Sequence, residues 1–125
     1  MSAAIKAAKV IEGAGAVLLA RVVGNAGTPI TQASLSSISR LVYVPATATS
    51  VSSGTLTISS VVYDALQTGD LWTADSEGYN FKDTIGASTL SDGNTVYRVE
   101  YKFTPTSGEV FKVLFDLTTV ESYAD

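Results

Sequence analysis

The chain contains neither cysteine nor histidine. Without cysteine, disulfides, thiol nucleophiles and sulfur-ligated metals are excluded, so stability has to come from a packed core. Without histidine, Ser-His-Asp triads, imidazole acid–base chemistry and most zinc sites go as well. An enzyme built from this chain would have to run on carboxylates, Lys, Tyr or Ser alone. The reading is therefore no enzyme and no cofactor. Charge is scarce: 16% of residues are charged, the net charge is −4 and no basic run occurs. A phosphate-binding footprint is missing, and nucleic acid is not an expected partner. Long apolar runs are missing too, and no segment is long enough to span a membrane. After Lys6 and Lys9, the stretch "VIEGAGAVLLA" is broken by Glu12 and small residues and ended by Arg21. It is read as the approach to a first strand and not as a secretory leader.

What remains is β-rich. Apolar residues make up 46% of 125, which suits one domain with a core of its own. Residues 1–14 read as an Ala-rich arm with one weak helical turn, and residues 15–125 as the domain. "AVLLARVVG" (16–24) is a strand closed by the turn cluster "NAGTP". "SISRLVYVP" (37–45) is a second strand, with Ile38, Val42 and Val44 sharing one face with Arg40, whose long stem can reach out of a core. "ATATSVSS" is read as a polar loop, and "GTLTISSVVYDAL" (54–66) as a third strand. "GYNF" is a short strand. The clearest pattern lies in "TVYRVEYKF" and "EVFKVLFDL", joined by "TPTSG". Tyr97, Val99, Tyr101 and Phe103 alternate with Arg98, Glu100 and Lys102, and Phe111, Val113, Phe115 and Leu117 share a face opposite Lys112 and Asp116, which predicts an antiparallel hairpin. The fold class is all-β: an antiparallel Ig-like sandwich of about six to eight strands with a short N-terminal arm. A jelly roll, with its longer strands, ranks second.

"DSEGYNF" (75–81) concentrates carboxylates, a glycine, an amide and aromatics just after the single tryptophan. As a cation loop it departs from the EF-hand spacing, because Gly78 falls too early. A looser calcium site would draw on Asp70, Asp75, Glu77 and Asp83; the plainer reading is a solvated turn. Trp72, Tyr79 and Phe81 could form a sugar platform, but same-face aromatics serve a core equally well. The expected core and framework therefore comprises Trp72, Tyr79, Phe81, Tyr97, Tyr101, Phe103, Phe111 and Phe115. Asn80 is expected to bond a neighbouring loop's backbone. In the arm, Ile5, Val10 and Ile11 are candidate apolar contacts to a neighbouring subunit.

Three stretches, "ARVVGNAGTPITQASLSSISRLVYV", "GTLTISSVVYDALQTGDLWTADSEGYNF" and "VYRVEYKFTPTSGEVFKVLFDLTTV", resemble an Ig-like module of tailed-phage virion proteins. The pattern is similar to the amino-terminal sandwich of baseplate upper proteins. There, a "G-x-P-(I/L)-T" turn follows the first strand and a "W-x-x-D-x-x-G-Y-N-F" segment precedes the last ones. The matching residues are Gly27, Pro29, Ile30 and Thr31, then Trp72, Asp75, Gly78, Tyr79, Asn80 and Phe81. The resemblance implies a non-enzymatic virion protein, in first place a capsid decoration or cement protein stabilising the phage head. A tail or baseplate subunit is the alternative. Its implied partners are virion proteins, the major capsid protein or tail and baseplate proteins, with further copies of itself as a homo-oligomer in the particle. From other classes, a secreted carbohydrate-binding module and a calcium-dependent adhesion domain are the rivals.

Overall fold

The computed structural model describes residues 15–24, 27–69, 72 and 75–120 in full, and residues 4–11 by their backbone. Eight strands are found among the described residues: β1 (Ala4–Ile11), β2 (Ala16–Ala20), β3 (Leu35–Val44), β4 (Thr49–Leu56), β5 (Val62–Gln67), β6 (Tyr79–Ile85), β7 (Val96–Pro105) and β8 (Phe111–Val120). They form a five-stranded sheet in the order β1-β8-β7-β3-β4 and a three-stranded sheet in the order β2-β6-β5. All described pairings are antiparallel except β1 with β8. The chain is an all-β sandwich.

Alternation explains the larger sheet. β7 and β8 pair with Val99 opposite Phe115, Tyr101 opposite Val113 and Phe103 opposite Phe111, so each partner pair points inward together. The outward positions between them carry charge: Arg98 meets Asp116 in a two-pronged pair at 2.7 and 3.0 Å, and Lys112 reaches Glu100 at 3.4 Å. From the smaller sheet, Phe81 lands edge-on against Tyr101 and Phe103, with ring centroids 4.8 and 5.4 Å apart. Phe103 in turn stacks flat on Phe111 at 5.1 Å. This aromatic layer, with Ile38, Val42, Ile85 and Leu117 around it, is the core. Burying each such side chain stabilises the fold by about 1.5–3 kcal/mol.

Three segments differ from the expectation. Residues 4–11 are extended where a helical turn was expected. They run parallel to β8, from Ala4 opposite Val113 to Ile11 opposite Val120. The strand adds backbone pairing along β8, which would otherwise be an open edge. "ATATSVSS" is no loop in its second half: Thr49–Leu56 is an edge strand, exposed along most of its length with only Ser52 and Leu56 half-buried, and so under little pressure to alternate. The expected strand over 54–66 is cut in two by a single helical turn, α1 (Ile58–Val61), which carries the chain from one sheet to the other.

Candidate functional site

The 75–81 segment is built around one carboxylate. Asp75 Oδ1 accepts the backbone N–H of Glu77 at 3.0 Å and of Gly78 at 3.1 Å, closing an Asx-type turn on itself. The same oxygen accepts the Trp72 indole N–H at 2.9 Å. Its other oxygen takes Arg21 at 2.7 Å, and the same guanidinium reaches Glu77 at 3.4 Å and the Gly78 carbonyl at 3.2 Å. These donors, the Trp72 N–H foremost and the Gly78 N–H next, hold the Asp75 carboxyl well below the usual carboxylate range. Such a group stays ionised and has its lone pairs occupied, which suits a turn and not proton transfer.

Gly78 is required where it stands. Its φ is +105°, and a Cβ there would meet the Gln67 carbonyl oxygen at 2.3 Å. Only a residue without a side chain lets the loop press this closely on the end of β5.

Asn80, the next buried residue, does the work of a missing strand. β2 pairs with β6 up to Ala20 opposite Phe81, and there the ladder ends. Beyond it, Asn80 Oδ1 accepts the Val22 N–H at 2.7 Å and Asn80 Nδ2 donates to the Val22 carbonyl at 3.0 Å. The amide thus replaces one rung of the sheet and, at 3.5 Å, also reaches the Ile30 carbonyl. Ile30 N–H closes the loop onto Val22 at 3.1 Å. The expected bond from Asn80 to a neighbouring loop's backbone is this one.

The aromatics divide. Phe81, Tyr97, Tyr101, Phe103, Phe111 and Phe115 lie in the buried cluster. Trp72 and Tyr79 do not: both are half-buried, with rings 5.8 Å apart and tilted by 44°, and Tyr79 also meets Tyr63 edge-on at 5.9 Å. The tryptophan is thus a lid on the loop and not the core centre it was expected to be. Its ring leans on Tyr79, and its polar edge is fixed by Asp75. That tilt also leaves no flat shared platform for a sugar ring.

Of the carboxylates grouped in the loose calcium reading, Asp75 and Glu77 share the Arg21 guanidinium, while Asp83 is held by Arg40. Asp83 faces the interior from β6, where its Oδ2 takes the Arg40 guanidinium at 2.7 Å and the Tyr101 hydroxyl at 2.6 Å. Burial, helped by the bond to Asp83, pushes the Tyr101 hydroxyl far up, so it remains a donor at every ordinary pH. Arg40 lies on the inward face of β3 as expected from its alternation, and spans the two sheets. Asp70 lies outside the described residues. Among those described, no three His, Cys, Asp or Glu side chains are placed to hold a metal ion.

A cleft of about 240 Å³ opens at one end of the sandwich between Thr28, Pro29, Ser34, Pro105 and Thr106. It holds no titratable side chain. The candidate contacts Ile5, Val10 and Ile11 have their backbones opposite Leu114, Thr119 and Val120. Their side chains lie outside the described residues. No family model matches the chain, and neither a curated protein nor a solved structure does. The chemistry visible here is that of a self-satisfied framework: no buried side-chain polar atom lacks a partner among the described residues.

Proposed function

We propose that this chain is a non-enzymatic structural protein of a phage particle, most directly a decoration or cement protein that strengthens the head. One observation carries the reading. The two motif segments that resemble the virion module lock onto each other as a framework. Asn80 of the second segment ties Val22 to Ile30 of the first, Gly27 turns with φ +84° and Pro29 bridges Val23. In the second segment Asp75 and Gly78 are committed to the turn itself. Residues that would form an active site in an enzyme are here consumed by the fold, which leaves the strand edges and outer faces as the working surface. The partner is the major capsid protein or a tail or baseplate protein, together with other copies of the chain. A tail or baseplate subunit uses the same framework and is the second form of this reading.

The test is mass spectrometry of particles purified from the phage or prophage that encodes the chain, followed by heating of particles made without it. Head-associated copies, and heads that open at lower temperature in their absence, are the expected result. Recovery with tails only selects the second form. Complete particles that lack the chain and lose nothing would end the proposal.

A further inference from the structure

The sandwich has four strand edges, and three of them are protected. β1 carries Lys6 and Lys9, β2 has only five residues, and β5 carries Asp64 and pairs irregularly with β6. Charges, short length and irregular register are the usual devices that keep an edge from pairing with another chain. β4 has none of the first two. It is eight residues long, and no charged residue falls anywhere between Arg40 and Asp64. One bulge sets Val51 aside; from Ser52 to Leu56 the strand pairs regularly with β3 on one side and, among the described residues, is open on the other.

Gly54 sits in the middle of that regular stretch. Nothing in the single chain asks for glycine there. Its φ is not in the left-handed region, and a Cβ would have no neighbour within 4 Å. Glycine inside a strand weakens it and marks a bulge, a bend or a close approach by another backbone. The bulge lies elsewhere, at Val51, and the open space beside Gly54 leaves room for another backbone to approach.

We infer that the open edge of β4 pairs antiparallel with β4 of a second copy, across a two-fold axis near Gly54, to make one continuous sheet of ten strands. With the axis there, Gly54 faces Gly54 and Ser53 faces Thr55 of the other copy. The backbones can then approach to the ~4.5 Å Cα separation of the closer antiparallel pairs, and hydroxyl side chains meet hydroxyl side chains. Charge selects the second copy as the occupant. A two-fold contact brings each side chain near its own duplicate, so any charge at its centre meets like charge. For a chain of net charge −4, this neutral edge is where self-association meets least repulsion. Beside it on the outer face, Leu41, Tyr43, Pro45, Ala48 and Ser50 line a shallow depression with Glu100, whose charge Lys112 meets at 3.4 Å.

The pairing concerns the free chain and stands apart from the virion reading: a dimer absent from particles would sink only that reading. Sedimentation velocity of the full chain over a concentration series is the test, with circular dichroism as the control for folding. The expected result is a dimer whose dissociation constant rises at least about tenfold in both Thr55→Lys and Gly54→Val. The first brings charge to the axis and the second brings bulk. Both positions are exposed, so the variants should stay folded and melt within a few degrees of the wild-type monomer. A wild-type chain that stays monomeric at its highest soluble concentration overturns the inference, and so does a dimer indifferent to both substitutions.

Discussion

Replacing Asn80 with leucine is the sharpest way to ask whether the loop is framework. Leucine fills the space with the same branching, but the Val22 N–H loses its one partner among the described residues while remaining buried. The Val22 carbonyl keeps its bond from Ile30 N–H, so it is weakened and not orphaned. One orphaned donor costs about 1–3 kcal/mol, and losing the carbonyl bond adds about 0.5–1.5 kcal/mol. A loss near 3 kcal/mol is a large share of the roughly 5–15 kcal/mol that holds a domain together. It should lower the melting temperature by about 10–15 °C. Urea unfolding followed by far-UV circular dichroism measures it, provided the slope m is unchanged. Asn80→Asp supplies the contrast. It keeps an acceptor for Val22 N–H but turns an acceptor toward the Val22 and Ile30 carbonyls, and it buries a charge. Its folded-state carboxyl should therefore titrate above its unfolded value, so stability lost at neutral pH should return as the pH falls. If Asn80→Leu costs less than about 0.5 kcal/mol, within the range of ordinary surface substitutions, the amide is not a rung of the sheet.

Three further outcomes are expected. Asp83→Ala should destabilise by about 3–5 kcal/mol because it leaves the Arg40 guanidinium without its charge partner between the sheets. In the Arg40→Met/Asp83→Leu double variant much of that loss should be recovered, which a double-mutant cycle by urea unfolding would read. Asp75 and Asp116 titrate below their ordinary value, Asp116 because Arg98 grips it, so their contribution is present above the unfolded pKa of about 3.8 and fades as the pH falls toward the folded values. The urea midpoint should therefore drop below pH 4, and Asp75→Asn should flatten part of that acid limb. Calcium at millimolar concentration should leave the melting temperature in place, since Asp75 and Asp83 are held by different arginines; a rise would show a bound ion through mass action.

Periodicity carried the reading where one face is buried and the other wet. β7 and β8 alternate between aromatic and charged residues because the core lies on one side only, and Arg40 could be placed inward by parity alone. The Asn80 contact was legible for a different reason, since an amide between two aromatics in a short strand has few ways to be satisfied except by neighbouring backbone. β4 was hidden because an edge strand exposed along most of its length shows little alternation, and Ser and Thr read as loop by composition. Its signal was the missing charge between Arg40 and Asp64. β1 was hidden because its alanines have little strand propensity of their own. What holds it extended is the β8 edge, a partner more than a hundred positions away. Trp72 misled through size: a large ring is expected inside, yet its N–H needs a partner, and Asp75 supplies one at the surface.

On the proposed function, the acidic, aromatic loop serves the fold while the strand edges serve assembly. Hydrogen–deuterium exchange, comparing the free chain at monomeric dilution with the chain in its particle, tests this most directly. New protection is expected in Thr49–Leu56 and unchanged exchange from residue 75 to 81, where the Glu77 and Gly78 amides are already bonded within the chain. Protection that instead gathers on residues 75–81 and leaves β4 open would contradict it.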